Sequence, residues 1–269
     1  MNRKLYATLN FTTTVVPSIP CPSCPDGRLI HSKGFVRKDV NAWTHRSSKE
    51  DEWDSEWTQS HFSAVLRCND PSCNEAVHVV GVGNVEPVTV EIDDHWGPID
   101  QLDTVFTPKY FVPPLRIFDC PSKTPEAVRQ QMLASFAAFF SDASSAANRV
   151  RSAVEFLLTA LKVPKKEKTK AGKLKPLTLH WRIERLGAKH SNIKDLLLAV
   201  KWIGNTGSHA TEISREAVMD AYDMLEHCLD LLYGEKKDLM TLAKAINRKK
   251  GPLKPHPHRR IRISRLSKP

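Results

Sequence analysis

The chain has 269 residues, of which 41% are hydrophobic and 26% charged, proportions that are typical of a soluble globular protein. It has no apolar run near the ~18 residues that a membrane helix needs, and its N-terminus lacks the apolar core of a signal peptide. We therefore expect a cytoplasmic protein with no membrane association. In that reducing setting we expect its six cysteines to be metal ligands or buried thiols rather than disulfides.

The net charge of +10 is concentrated at the C-terminus. Residues 234–269 contain 12 Lys and Arg against two acids, whereas residues 1–233 carry 28 basic and 28 acidic side chains. Such segments attract phosphate backbones or acidic partners. We predict a basic, disordered tail at residues 247–269 that contacts nucleic acid, the alternative being a solvated tail that only aids solubility. The predicted nucleic-acid-binding residues are Arg248, Lys249, Lys250, Arg259, Arg260, Arg262 and Arg265.

The N-terminal part predicts a small β-rich module at residues 1–107. Residues 1–16 have the pattern of a lead-in strand. Short runs rich in β-branched residues then predict strands at residues 63–68, 76–82 and 87–92.

Four cysteines form two pairs in this module. Cys21 and Cys24 are spaced as C-x2-C, and Cys68 and Cys73 as C-x4-C, each pair on a turn that contains Pro or Asp. A structural zinc site takes four thiolates in two chelating pairs, and a small module gains much of its stability from such a metal. We predict a zinc ribbon whose Zn2+ is structural, because four protein ligands leave no open position for catalysis. The alternative is four unrelated buried thiols.

A polar insert between the two cysteine pairs contains three tryptophans. Trp43, Trp53 and Trp57 lie close to the acidic residues of the segment 49–56. Tryptophans among acids suit a partner protein or a basic surface and not phosphates. The alternative, which we favour, is that they cover the edge of the β-rich module.

After the proline-rich stretch at residues 107–114, the apolar period becomes helical. Prolines favour extended backbone and oppose a helix, so we place the domain boundary at this stretch. Apolar residues at spacings of three and four predict helices that begin near residues 124, 142, 177, 191 and 214, with a short one at 239–246. The fold class is thus predicted to be α+β, with the zinc ribbon followed by an antiparallel α-helical bundle at residues 115–246.

The segment KWIGNTGSHA, residues 201–210, joins two of the predicted helices. Gly204 follows the last apolar stripe position, Ile203, and we expect it to end the helix in the left-handed conformation. We predict a polar cluster that joins the second helix to this loop, the alternative being an exposed ion pair of small energetic value. The cluster comprises Arg151, Glu155, Asn205 and His209.

Several spaced motifs occur together in the helical half. They are Tyr110 with Pro113, Pro125 with Val128, Ala147 with Arg151 and Glu155, Gly204-Asn205 with His209, and Leu232-Tyr233. With them, and with the cysteine pairs before them, the chain resembles the domain of unknown function 4145 family over about residues 15–233. That family is prokaryotic, occurs beside restriction enzymes and other anti-phage systems, and is similar to HEPN helical domains, many of which are dimeric ribonucleases. The resemblance implies a HEPN-like bundle, a protein partner or homodimer, and a role in defence or on a mobile element.

The HEPN nuclease motif is Arg-x4–6-His, in which the histidine performs acid/base chemistry and the arginine stabilises phosphate. Before His209, the positions that this spacing allows hold Trp202, Ile203 and Gly204. The nearest upstream cation is Lys201, which lacks the guanidinium fork. We therefore favour a non-enzymatic, zinc-binding accessory protein associated with nucleic acid. The alternative is a metal-independent, HEPN-like ribonuclease with a degenerate motif that uses His209 and Lys201.

Overall fold

A computed structural model of the protein describes residues 1–31, 34–91, 98–170, 172–206, 213–235 and 239–250. The chain divides into two compact units, Met1–Gly234 and Glu235–Pro269. Within the described ranges, no helix is both long enough and apolar enough to cross a membrane.

The N-terminal part of the first unit is an antiparallel β-sheet. Its strands are β1 (Ile19–Pro20), β2 (Arg28–Ile30), β3 (Val36–Val40), β4 (Gln59–Cys68), β5 (Ala76–Glu91) and β6 (Pro98–Val112). They follow the order β1-β2-β4-β5-β6, and β3 also pairs with β4. The predicted strand at 63–68 lies within β4. The run at 76–82 and the described part of the run at 87–92, residues 87–91, fall in one continuous strand, β5.

Strand β4 shows why this part of the sequence forms a sheet with one buried face. Its ten residues alternate between exposed and buried without interruption. Since side chains of a strand point to opposite faces in turn, Phe62, Ala64, Leu66 and Cys68 share the buried face. The alternation therefore places a cysteine at the end of an apolar row.

The helices of the first unit are α1 (Arg3–Ala7), α2 (Ala42–Ser47), α3 (Glu126–Phe139), α4 (Ala143–Ala160), α5 (Leu179–Glu184), α6 (Lys194–Thr206) and α7 (Arg215–Tyr233). Short 3₁₀ helices lie at Ser55–Trp57 and Ala188–Ile193, and the strands β7 (Lys166–Lys168) and β8 (Leu174–Pro176) form a hairpin between α4 and α5. The second unit contains α8 (Leu239–Lys249), which confirms the short predicted helix.

The starts of α4 and α7 follow the capping rules, and the start of α3 does not. The side chains of Asp142 and Ser214 each accept a backbone N–H from the first turn of α4 and α7. No side chain caps α3 in this way. Pro125 occupies the cap position, and the Thr124 hydroxyl is buried without a hydrogen-bond partner in the described structure.

The expectation that Gly204 ends a helix was wrong, because α6 continues to Thr206. Gly204 instead lies where α6 crosses α4. A Cβ atom at this position would lie 2.5 Å from the Cβ of Arg151 and 3.1 Å from the Ala147 carbonyl oxygen. The glycine is therefore needed for close packing of two helices and not for a left-handed turn.

The predicted lead-in strand at residues 1–16 was wrong as well, since Arg3–Ala7 form α1. The side chain of Asn2 accepts a backbone N–H of its first turn and so caps the helix. Strand-like pairing is confined to Phe11, which forms an isolated antiparallel bridge with Phe106 of β6.

Contacts with α7 explain why a helix forms at the N-terminus. The Met1 ammonium group lies 3.1 Å from a carboxylate oxygen of Glu226. The Arg3 guanidinium donates to Asp220 at 2.6 Å and to Asp223 at 2.8 Å. These acids lie more than 200 positions from Arg3, at separations of 217 and 220, so local sequence patterns carry no sign of them.

A continuous hydrophobic core connects the sheet with the helices of the first unit. Phe111 of β6 contacts Phe140, just after α3, with ring centroids 4.9 Å apart. β6 also runs past residue 107 to Val112. The division into modules at residues 1–107 and 115–246 stays a prediction.

A buried polar contact within this core joins α3, α4 and α7. The Ser135 hydroxyl donates to the Ala146 carbonyl at 2.8 Å and lies 2.8 Å from the Tyr222 hydroxyl, which completes the chain by donating to it. Tyr222 is fully buried among the rings of Phe118, Phe136 and Phe139, and this burial raises its pKa.

Removal of the Tyr222 hydroxyl and removal of the Ser135 hydroxyl are expected to destabilise the protein by different amounts. Tyr222→Phe leaves Ser135 bonded to Ala146 and should lower the free energy of unfolding by about 1 kcal/mol. Ser135→Ala leaves the Tyr222 hydroxyl buried without a partner, so it should cost more, up to about 3 kcal/mol. Urea denaturation of both variants measures the difference. A larger loss for Tyr222→Phe would contradict this account.

Candidate metal centre and polar cluster

The four cysteines of the predicted zinc ribbon lie together at the end of the sheet. The Sγ atoms of Cys21, Cys24, Cys68 and Cys73 are all within 4.8 Å of one another. The Cys21–Cys73 and Cys24–Cys68 sulfur distances are 3.8 and 3.6 Å. A tetrahedron with metal–sulfur bonds of about 2.3 Å has edges of roughly 3.8 Å. The cluster therefore fits a tetrahedral metal ion coordinated by four sulfurs.

The two cysteine turns are built in the same way. In each, the backbone N–H two residues beyond the first cysteine donates to its sulfur: Ser23 to Cys21 and Asp70 to Cys68, both at 3.4 Å. The strand pairing of Leu29 with Cys68 brings the second turn beside the first. Backbone N–H groups that point at sulfur stabilise the thiolate form, which is the form that binds metals.

Without a metal ion, the surroundings of Cys21 and Cys68 shift the pKa values of these two thiols in opposite directions. Burial, reinforced by the thiols of Cys24, Cys21 and Cys73, raises the pKa of Cys68 to about 12. Burial also acts to raise the pKa of Cys21, but the backbone N–H groups of Ser23 and Cys24, together with the thiols of Cys68 and Cys24, outweigh it, so that this pKa is lowered. A cation among the sulfurs would remove this conflict, because it replaces the protons and neutralises the thiolates.

Gly27 is part of the site, although the sequence interpretation missed it. A Cβ atom there would overlap the Sγ atoms of Cys68 and Cys24. Its carbonyl oxygen also accepts the Cys21 N–H at 2.9 Å. The spacing C-x2-C-x2-G was the available signal, since a glycine close behind a cysteine turn lets the backbone approach the sulfurs.

The residues of the predicted polar cluster lie where α4 meets α6. The Arg151 Nε donates to the Asn205 side-chain oxygen at 3.0 Å, and the guanidinium lies 3.2 Å from Glu155. Both charged side chains are partly exposed, so the ion pair contributes at most about 1 kcal/mol. His209, the fourth predicted member, lies outside the described residues.

Lys201 does not reach solvent as a phosphate-binding cation would. It is only 4% exposed, and its ammonium nitrogen lies 3.0 Å from the centroid of the Trp202 ring. Burial, with the nearby charge of Arg151, lowers the Lys201 pKa. Its visible role is to hold the Trp202 indole through a cation–π contact.

The predicted nucleic-acid-binding residues fall partly within α8. Arg248 and Lys249 are in its last turn and Lys250 follows it, and all three are exposed. Outside the described residues lie Arg259, Arg260, Arg262 and Arg265.

The tryptophan-rich insert forms an aromatic cluster on the surface. The Trp53 ring contacts Trp43 and Trp57 edge-on, with centroids 5.4 and 5.9 Å apart. Trp43 and Trp57 are 42% and 54% exposed. The buried Thr44 hydroxyl donates to the Gln59 carbonyl at 3.1 Å and so fixes α2 to β4.

Metal binding by the purified protein is expected to require the cluster. Chelator-treated protein given Co2+ should develop the visible absorption of a tetrahedral cobalt–thiolate site, and Cys68→Ser or Cys21→Ser should abolish it. Cys120→Ser is the matched control, because Cys120 is a partly buried thiol that lies outside the cluster. Unchanged cobalt binding in Cys68→Ser would refute the site.

Gly27→Ala is expected to weaken metal retention, because the added methyl group overlaps two ligand sulfurs. The measurement is the rate of metal loss to a competing chelator, together with the melting temperature of the metal-loaded protein. Gly187→Ala serves as the control, since a Cβ there meets nothing within 4 Å and its φ of −65° suits any residue. Equal metal loss in both variants would contradict the role given to Gly27.

In a comparison with known proteins, the two parts of the chain match the models of two different families. Residues 9–111 match the model of Domain of unknown function (DUF8608), and residues 134–249 match Domain of unknown function (DUF4145). No curated protein and no solved structure matches the chain. The matched helical range begins later than we expected, after the motifs at residues 110–113 and 125–128. The helical part of this chain thus matches the 4145 family that its motifs indicate.

Proposed function

We propose that the protein is a non-enzymatic, nucleic-acid-associated accessory protein whose N-terminal part is stabilised by a structural Zn2+. Zinc is the metal that suits four thiolates in a tetrahedron. The four sulfurs fill such a coordination sphere, so the ion holds the two cysteine turns together and has no position for a substrate.

The charge distribution along the chain is the main support for an association with nucleic acid. Residues 1–233 are neutral overall, and the net charge of +10 lies beyond them. The described start of this segment already exposes Arg248, Lys249 and Lys250. Cations in such a segment release counterions from a phosphate backbone and give salt-dependent binding that tolerates any sequence.

The biological setting is proposed from family resemblance. The 4145 family occurs beside prokaryotic restriction and anti-phage systems and is similar to HEPN domains, which supports a HEPN-like bundle and a role in defence or on a mobile element. The same resemblance supports a protein that works with a protein partner or as a homodimer.

A ribonuclease activity is the second candidate, and one contact favours it. The Arg151–Asn205 hydrogen bond places a guanidinium group beside the segment that leads to His209. Arg151 could supply from α4 the cation that is missing at the Arg-x4–6-His spacing. Cleavage of labelled RNA by the full chain, abolished in His209→Ala with the melting temperature unchanged, would establish the enzyme and overturn the accessory role.

The accessory role predicts a steep salt dependence of nucleic-acid binding. Deleting residues 247–269 should weaken binding of a labelled duplex and flatten the slope of log K against log salt, by about 0.9 for each phosphate that the tail neutralises in the full chain. A matched full-length variant replaces the seven predicted binding residues with Gln, keeps Lys254 and Lys268, and should lose most of the binding that the deletion loses. A full-length protein that binds no nucleic acid at low salt would refute the proposal.

A further inference from the structure

An exposed aromatic row crosses α5 and α6. Trp181 is 56% exposed and Trp202 is 60% exposed. The His180 ring lies between them, with centroids 5.4 Å from Trp181 and 6.4 Å from Trp202. Large apolar rings that remain this open to water on a folded surface often mark a binding site.

The row borders a groove of about 320 Å³ that holds positive charge. Arg151, Lys201 and Trp202 contribute to its lining, and no acidic side chain does so among the described residues. The Lys201 ammonium covers one face of the Trp202 indole and fixes the ring, while most of the ring surface stays exposed. The groove therefore combines a fixed, open indole with the Arg151 guanidinium, whose charge is partly balanced by Glu155 at 3.2 Å.

One polar atom in this row lacks a partner. The His180 Nδ1 is shielded from solvent and makes no hydrogen bond within the described structure. In a neutral imidazole this nitrogen either donates or accepts one hydrogen bond. No contact in the described structure therefore fixes the tautomer of this histidine.

A lysine-rich hairpin adjoins the groove. Leu179 lines both this groove and a neighbouring one, which Lys165 also lines. Residues 162–175 contain seven lysines, all exposed, and one acid, Glu167, which is already paired with Arg185. We call residues 162–176 the lysine hairpin. Its charge is complementary to a polyanion that lies across the groove.

We propose that the aromatic row and the lysine hairpin form a binding site for single-stranded nucleic acid, with bases stacked on Trp181 and Trp202 and phosphates along the hairpin. This inference rests on the proposed function and gives it a second site, distinct from the tail. A single strand fits better than a duplex, because only unstacked bases offer their faces to an indole. An acidic protein partner would use the lysines but would leave the flat rings without a matching face.

The test measures binding of labelled oligothymidine and oligouridine of about 16 nucleotides, and of a duplex of equal length, by fluorescence anisotropy. Trp202→Ala and Trp181→Ala should each weaken single-strand binding by about tenfold, since each removes a stacking platform. Duplex binding and the salt slope should be unchanged. Trp202→Phe and Trp181→Phe keep a ring and should restore most of the affinity, and an unchanged melting temperature of the Ala variants excludes misfolding as the cause.

The chain supplies its own matched controls. Trp43→Ala and Trp57→Ala remove indoles of similar exposure from the acidic insert and should leave single-strand affinity unchanged. Replacing Lys165, Lys166 and Lys168 with Gln should instead flatten the single-strand salt slope by up to about two, at ~0.7 per neutralised phosphate. Both effects should persist in the chain that lacks residues 247–269.

The outcomes separate this inference from the proposed function. If the full chain binds nucleic acid but the Trp181 and Trp202 variants match the Trp43 and Trp57 controls, the stacking site is refuted and the tail remains. Equal losses for single strand and duplex would likewise refute it. If the full chain binds neither kind of nucleic acid, both proposals fail. A preference between thymidine and uridine oligomers identifies DNA or RNA as the ligand.

Discussion

The contact between the rings of Phe111 and Phe140, 4.9 Å apart, lies where the sheet meets the helices, and much of the molecule depends on this junction. The buried face of the sheet continues through it into the core of the helical part. Burial of apolar surface is the main favourable term in folding, so a shared core couples the stability of the two parts. The cysteine turns and the aromatic row are thus both supported by one hydrophobic interior.

Each half of the metal centre comes from a short local segment of the chain, but the sheet is needed to bring the two halves together. Each cysteine pair forms its own turn with an N–H to sulfur hydrogen bond, and strand pairing then brings the pairs together. Cys68 belongs both to the sheet and to the cysteine cluster, because it ends the buried row of β4 and also provides one of the four clustered sulfurs. Metal binding and formation of the sheet are therefore expected to be energetically linked.

Two groups of exposed tryptophans differ in their electrostatic surroundings. Trp43 and Trp57 lie in a segment rich in Asp and Glu, whereas Trp181 and Trp202 border a groove without a lining acid in the described structure and adjoin exposed lysines. Indoles stack with nucleobases in either setting, but phosphates are repelled by the first and attracted by the second. This contrast distinguishes the two surfaces more clearly than exposure alone.

Local patterns in the sequence determined the cysteine pairs, the helix starts at Asp142 and Ser214, the helical periods and the position of the basic tail. Each of these features depends on residues that are close together in the chain. Tertiary structure decided the features that depend on distant residues. The N-terminal segment became a helix through its contacts with α7, and Gly204 stayed helical because α4 lies against it. Gly27 became part of the metal site, and Trp181 and Trp202 were brought to one surface from separate helices, because backbone and ring positions there follow from packing and not from spacing.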